Sequence, residues 1–153
     1  MRTHCMHAVA HRVHVACACG MCVFWPQGVR NVKGVVALAA AVRSSISLKS
    51  LTIKQNSLGS TGAQLMGEAL AANRSLTTVS LALCQLCGRD AWGSGAYDSQ
   101  GIGAIATAIR ISGSELGCLT SLDLAANDLD EHATACVNDA WLSLKPGSFK
   151  LEL

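Results

Sequence analysis

One eleven-residue pattern returns three times along the chain and constrains its fold more than any other feature. Written L-x-x-L-x-L-x-x-N/C-x-L, it is met at Leu48, Leu51, Ile53, Asn56 and Leu58, again at Leu76, Val79, Leu81, Cys84 and Leu86, and again at Leu119, Leu122, Leu124, Asn127 and Leu129. The L-x-L core has the period of a strand, whose alternate side chains turn to one face. After each pattern comes an apolar stripe at helical spacing. The stripes are Gly62, Leu65, Ala69 and Leu70, then Gly101, Ala104, Ala108 and Ile109, then Ala133, Cys136, Ala140 and Trp141. Shifting the first stripe upstream by the repeat length gives Gly34, Ala37, Ala41 and Val42. Each unit therefore reads as strand, loop and helix. One such unit cannot bury its apolar face alone, whereas parallel stacking of neighbours can.

The spacing locates an irregularity. Leu48 to Leu76 is 28 residues and Leu76 to Leu119 is 43, so the second unit holds 15 extra. Eleven of them fall between Cys84 and Gly101 and four between Gly101 and Leu119. A chain of 153 residues has room for one domain with a sizeable core. Half of it is hydrophobic but only 4% is aromatic, so Leu, Ala and Val must build that core. In the polar slot of the pattern, Asn56 and Asn127 can bond their amides to turn backbone that would otherwise be unpaired. Cys84 is small and weakly polar enough for the same slot, and reads as core rather than as a reactive thiol.

At these residues the sequence resembles the ribonuclease-inhibitor class of leucine-rich repeats, as in NOD-like receptors and Ran GTPase-activating proteins. NSLGSTGAQLMGEALAANRSL carries the likeness most closely. It covers about residues 32–146 and reaches faintly to Val23, Trp25 and Gly28. The resemblance implies an α/β leucine-rich repeat solenoid of about three to four repeats, a curved parallel sheet with helices on the convex side. The resemblance also implies that the concave face of this sheet binds other proteins. The expected organisation is an N-terminal arm over 1–20, disordered or targeting, and a repeat domain over 21–147. Its units lie near 20–47 (degenerate), 48–75, 76–118 with the insertion, and 119–147. Residues 148–153 read as the opening strand of a truncated repeat. Such an uncapped end exposes an apolar edge, so self-association or a missing longer context is expected.

Catalytic constellations are missing. There is no phosphate-cradling Gly-rich loop with Lys, no H-E-x-x-H and no G-x-S-x-G. The expected function is a non-catalytic protein–protein interaction module or scaffold, with no cofactor and no metal. A GTPase-activating role like that of the Ran activator is the alternative the resemblance implies. That role needs a matched catalytic arginine near the amino end, which the sequence does not place. A second alternative is a metal-binding arm. His4, Cys5, His7, His11, His14, Cys17, Cys19 and Cys22 crowd the start. A helix would align the four histidines on one side, but the spacing matches no paired zinc-finger arrangement. His132 is placed in a solvent-facing loop.

Charge is uneven. Residues 1–67 hold seven Lys/Arg and no acid, the rest five basic and ten acidic residues, for a net +2. With no consecutive basic run, nucleic acid is not implied. Val13 to Trp25 is too short to cross a bilayer and is broken by His14, so no membrane is implied either. The basic start ahead of it leaves three readings open: a signal peptide, a transit peptide or an unstructured start. Three cysteines break its apolar character, and Ser is absent from residues 1–43. The eight cysteines are expected as reduced thiols, and the location as cytoplasmic.

The candidate partner-binding residues form two groups. In the insertion CGRDAWGSGAYDSQ they are Arg89, Asp90, Trp92, Tyr97 and Asp98, because loops on rigid scaffolds carry function and Trp and Tyr anchor interfaces. On the outward strand face, they are Thr52, Lys54, Ser80 and Asp123, among the neighbours Ser50, Thr78, Ala82, Ser121 and Ala125.

Overall fold

A computed structural model describes residues 6–9, 12–15, 32–89, 94–112, 117–144 and 150–153. The strand positions of the repeat form β3 (Ser50–Thr52), β4 (Thr78–Ser80) and β5 (Ser121–Asp123), preceded by β1 (Met6–Val9) and β2 (Arg12–Val15) and followed by β6 (Lys150–Glu152). Between them run α1 (Val32–Ser44), α2 (Gly59–Ala72), α3 (Gln100–Ser112) and α4 (Glu131–Leu142). All six strands lie in one sheet in chain order; β1 and β2 pair antiparallel and every later pairing is parallel. The fold is α/β.

The register follows the sequence repeat. Leu51 aligns with Val79, Val79 with Leu122 and Leu122 with Leu151. The middle residue of each of β3, β4 and β5 is fully buried, while its neighbours face the other way and stay half-buried or exposed. Backbone bonding continues past these three-residue strands. Ile53 and Gln55 donate to Ser80 and Ala82, and Leu81 and Leu83 donate to Asp123 and Ala125, at 2.8–3.0 Å. Ala82, expected on the open face, is buried at this point, where the chain leaves the strand and enters the turn.

The helices form a layer in which α1 packs on α2, α2 on α3 and α3 on α4. The α2–α3 contact is the closest. A Cβ on Gly67 would lie 2.5 Å from the Ala104 carbonyl carbon, and one on Gly101 would collide with the Ser60 carbonyl oxygen and the Ala63 methyl. The apolar stripes are mostly buried in α2 and α3. In α1 and α4 they are buried only in part: Ala37 and Ala41 are exposed, and Trp141 is 39% exposed. These end helices have one helical neighbour each among the described elements.

Each polar slot closes a turn. Asn127 donates to the carbonyls of Leu81 (2.9 Å) and Leu124 (2.7 Å), and its amide oxygen accepts from Cys84 N (2.8 Å) and Leu86 N (3.3 Å). It therefore ties its own turn to that of the preceding unit. Asn56 donates to Ile53 and Lys54 carbonyls. Cys84 does with sulfur what Asn127 does with nitrogen: its thiol reaches back to the Ile53 carbonyl at 3.1 Å. Burial pushes that thiol up to about 11, so it keeps its proton at neutral pH. Beside these slots Gln55, Leu83, Gln85, Ala126 and Asp128 take left-handed backbone (φ 56–60°). That conformation costs a non-glycine residue about 1–2 kcal/mol, which the slot's hydrogen bonds offset.

The N-terminal stretch differs from expectation. Part of the anticipated arm is a hairpin, with His7 opposite His14, and β2 extends the sheet in register with β3. The two histidines are on strands, not on a helix. Val13 and Val15 alternate with Arg12 and His14 at the period of a strand. His4, Cys5, His11, Cys17, Cys19, Cys22, Val23, Trp25 and Gly28 lie outside the described residues, as does Ser148. His132 is exposed as expected, but sits in the first turn of α4 rather than in a loop.

Candidate functional site

The insertion leaves the end of β4 and returns at the start of α3, and its two stems are bonded together. Gly88 N donates to Gln85 O and Asp98 N donates to Cys87 O, both at 2.9 Å. Gly88 (φ +83°) and Gly95 (φ +113°) face each other so closely that a Cβ on either would lie within 2.6 Å of backbone. Only glycine meets both demands, the left-handed conformation and the close approach.

The far stem is tied to the helices on either side. Asp98 accepts from the Ser60 hydroxyl at 2.6 Å and from Gln100 N at 3.0 Å, joining the first turn of α2 to the start of α3. Asp130 N donates to the Tyr97 hydroxyl at 3.1 Å. Asp130 in turn caps α4 by accepting from Ala133 N at 2.7 Å. Burial pushes the Tyr97 phenol up to about 12, and burial likewise raises the Cys87 thiol beside it. Arg89 on the near stem lies 5.1 Å above the Tyr97 ring and 3.7 Å from an Asp128 carboxylate oxygen. Both ion-pair partners are about half exposed, so this pair contributes little to stability.

The structure thus brings Arg89, Tyr97 and Asp98 together. Asp90 and Trp92, the remaining candidates of this group, lie outside the described residues. Of the strand group, Thr52 and Ser80 are half-buried on the open sheet face, aligned across β3 and β4. Asp123 continues the row, accepting from the Ser80 hydroxyl at 2.7 Å and from Ala125 N at 3.1 Å. Lys54 is exposed beyond the end of β3. Among the described residues no group of three or more His, Cys, Asp or Glu is arranged to hold a metal ion.

The same geometry makes a pH prediction. The Ser60 hydroxyl, and after it the Gln100 N–H, hold the Asp98 carboxyl below its ordinary 3.8. A lowered folded pKa contributes stability at pH above that ordinary value, and the contribution is lost as pH falls through the folded value. Asp98→Asn is expected to flatten that part of the acid limb. Melting temperatures of the two proteins measured from neutral pH down through this window test it, and parallel curves would refute it.

Sequence reading missed Ser60, Asp128 and Asp130 as partners of the loop. It also missed Asn73, which follows α2 and is only 6% exposed. Its amide donates to Val42 O (2.6 Å) and Ser45 O (2.9 Å), and its oxygen accepts from Ser75 N and Leu76 N. A signal for it was present. Ser45, at the same distance ahead of Leu48, accepts from Leu48 N in the same way. No protein-family model matches the chain, and a search of curated proteins returns no match.

Proposed function

We propose that the chain is a leucine-rich repeat solenoid of the ribonuclease-inhibitor-like class that works as a non-catalytic protein-binding module. On this reading it grips its partner with the insertion and the adjoining sheet face. The observation that carries this reading is the clamped stem. Tyr97 bonded to Asp130, Asp98 bonded to Ser60, and the apposed Gly88 and Gly95 hold both ends of residues 90–93 at the rim where the strands end. A recognition loop fixed at its base loses less entropy on binding than a free one. Asp90 and Trp92 supply the charged and aromatic contacts, with Arg89 at their edge. On the open sheet face, Thr52, Ser80 and Asp123, with Lys54 beyond the end of β3, offer a polar surface suited to complementarity more than to anchoring.

A cytoplasmic site of action fits the use of Cys84, whose bond to Ile53 O requires a reduced thiol. No described helix is long and apolar enough to cross a membrane.

The test is affinity capture with the intact chain, with Trp92→Ala and with Thr107→Glu on the exposed helix surface. Loss of captured proteins with Trp92→Ala alone, at an unchanged melting temperature, is the expected result. Equal capture by all three proteins would rule out the loop.

A second reading, self-association at the β6 end, is favoured by one comparison. Leu153 is 45% exposed, whereas Ile53, Leu81 and Leu124 at the corresponding position are fully buried. Leu142, at 70% exposure, adds to the apolar surface that α4 leaves open. Sedimentation velocity over a hundredfold concentration range is expected to show association that Leu142→Glu with Leu153→Lys abolishes. A wild-type monomer throughout would refute it.

A further inference from the structure

Of the five asparagines, Asn73 alone begins an N-x-S/T triplet, Asn73-Arg74-Ser75, the acceptor pattern for N-linked glycans. Such acceptors ordinarily sit on exposed loops. Here the acceptor nitrogen is enclosed: Asn73 is 6% exposed, and Ser75, the hydroxyl residue of the triplet, is 2% exposed. Both amide hydrogens are in use, one to Val42 O at 2.6 Å and one to Ser45 O at 2.9 Å. The Ser75 hydroxyl is engaged as well, with Ser45 O at 2.9 Å. These bonds join the end of α1 to the entry of β4, so the acceptor atom is part of the connection between two units.

We propose that folding and N-glycosylation compete for the Asn73 amide, so that a molecule modified there cannot reach this fold. In the transfer, Asn73 Nδ2 bonds to the anomeric carbon of a lipid-linked oligosaccharide. The bond from that carbon to the lipid diphosphate breaks, the diphosphate leaves, and one amide hydrogen is lost as a proton. The single hydrogen remaining on Nδ2 serves only one of the two carbonyls. The sugar ring would also occupy the space between the α1 terminus and the β4 entry, which the native chain fills. An unpaired buried carbonyl and a displaced helix end both oppose the native packing. The competition is decided by order of events: a chain that folds first hides the acceptor, and a chain modified first loses the fold. This inference concerns α1, α2 and β4 rather than the rim loop, and it applies to a chain delivered to the glycosylating compartment, not to the chain acting in the cytoplasm as proposed above.

Translation of the full chain behind a cleavable signal peptide, in the presence of microsomes, presents Asn73 to the transferase before folding. Glycosylated and unglycosylated molecules of the same sequence are then compared for protease resistance after detergent release. The expected result is that the unglycosylated molecules are resistant and the glycosylated ones at least tenfold more rapidly degraded. Arg74→Pro is the second comparison. It destroys the acceptor pattern but keeps the Asn73 amide, and Asn73 is already extended (φ −74°, ψ 141°), as a residue before proline must be. This variant is expected to be unmodified and resistant. If wild type escapes modification by folding first, Leu122→Ala, which loses a fully buried side chain and so leaves more of the chain unfolded, becomes modified. Equal resistance of glycosylated and unglycosylated molecules overturns the proposal, and so does absence of modification in both wild type and Leu122→Ala.

Discussion

Asn127→Ala is expected to remove about 4 kcal/mol of stability, the sum of the penalties for buried backbone groups left without partners. The side chain is 2% exposed and serves Leu81 O, Leu124 O, Cys84 N and Leu86 N. Truncation strips the partner from all four, in a site with no described route to solvent. The left-handed residues Ala126 and Asp128 on either side also lose the bonds that hold them. For a domain of this size the melting temperature is expected to fall by roughly 8–16 °C. Asn127→Cys discriminates between causes. A thiol can still reach the Leu81 carbonyl, as Cys84 reaches that of Ile53, but offers Cys84 N only a weak acceptor. Its loss should be intermediate. Calorimetry of the three proteins settles the matter, and an Asn127→Ala melting point within a degree of wild type would show that the slot is not a structural tie.

Gly101→Val is the second large effect. The added Cβ collides with the Ser60 carbonyl oxygen and sits 2.5 Å from the Ala63 methyl and 2.8 Å from Gln64 N. Two of these three atoms belong to the α2 backbone, which cannot move without separating the helices. Overpacking against backbone is expected to cost about 3 kcal/mol or more. Gly103 lies two residues further along α3, is exposed and has nothing within 4 Å of its Cβ position. There Gly103→Ala is expected to stabilise by about 0.5–1 kcal/mol through helix propensity alone. Opposite signs at two glycines of one helix, read from urea unfolding midpoints, are the result that supports this account. Destabilisation of similar size at both positions would point instead to a general intolerance of α3.

The two residues also mark what was legible in the sequence. Leu51, Val79 and Leu122 announce themselves because inward positions recur at fixed spacing, and the structure places each at the buried centre of a strand. The Asn and Cys slots are legible for the same reason. The roles of Tyr97 and Asp98 are not, since their partners Asp130 and Ser60 lie 33 and 38 residues away and obey no period. Asn73 falls between these cases. Its bonds to Val42 and Ser45 are distant, but its equivalence with Ser45 could have been read from the repeat. The β1–β2 hairpin has no counterpart in the repeat, so periodicity offered no help there.

The clamp at the base of the insertion has a further meaning. Helices in this array pack on their immediate neighbours, so disturbance passes from one unit to the next with loss at each step. The loop breaks that rule: through Ser60 and Asp98 it holds the start of α2, and through Tyr97 and Asp130 the start of α4. It is a link between second neighbours in an otherwise nearest-neighbour chain. Such a link raises the cooperativity of the array, because α2 and α4 cannot loosen independently while it holds. On the proposed binding function, a partner that engages this loop would stiffen three helices at once.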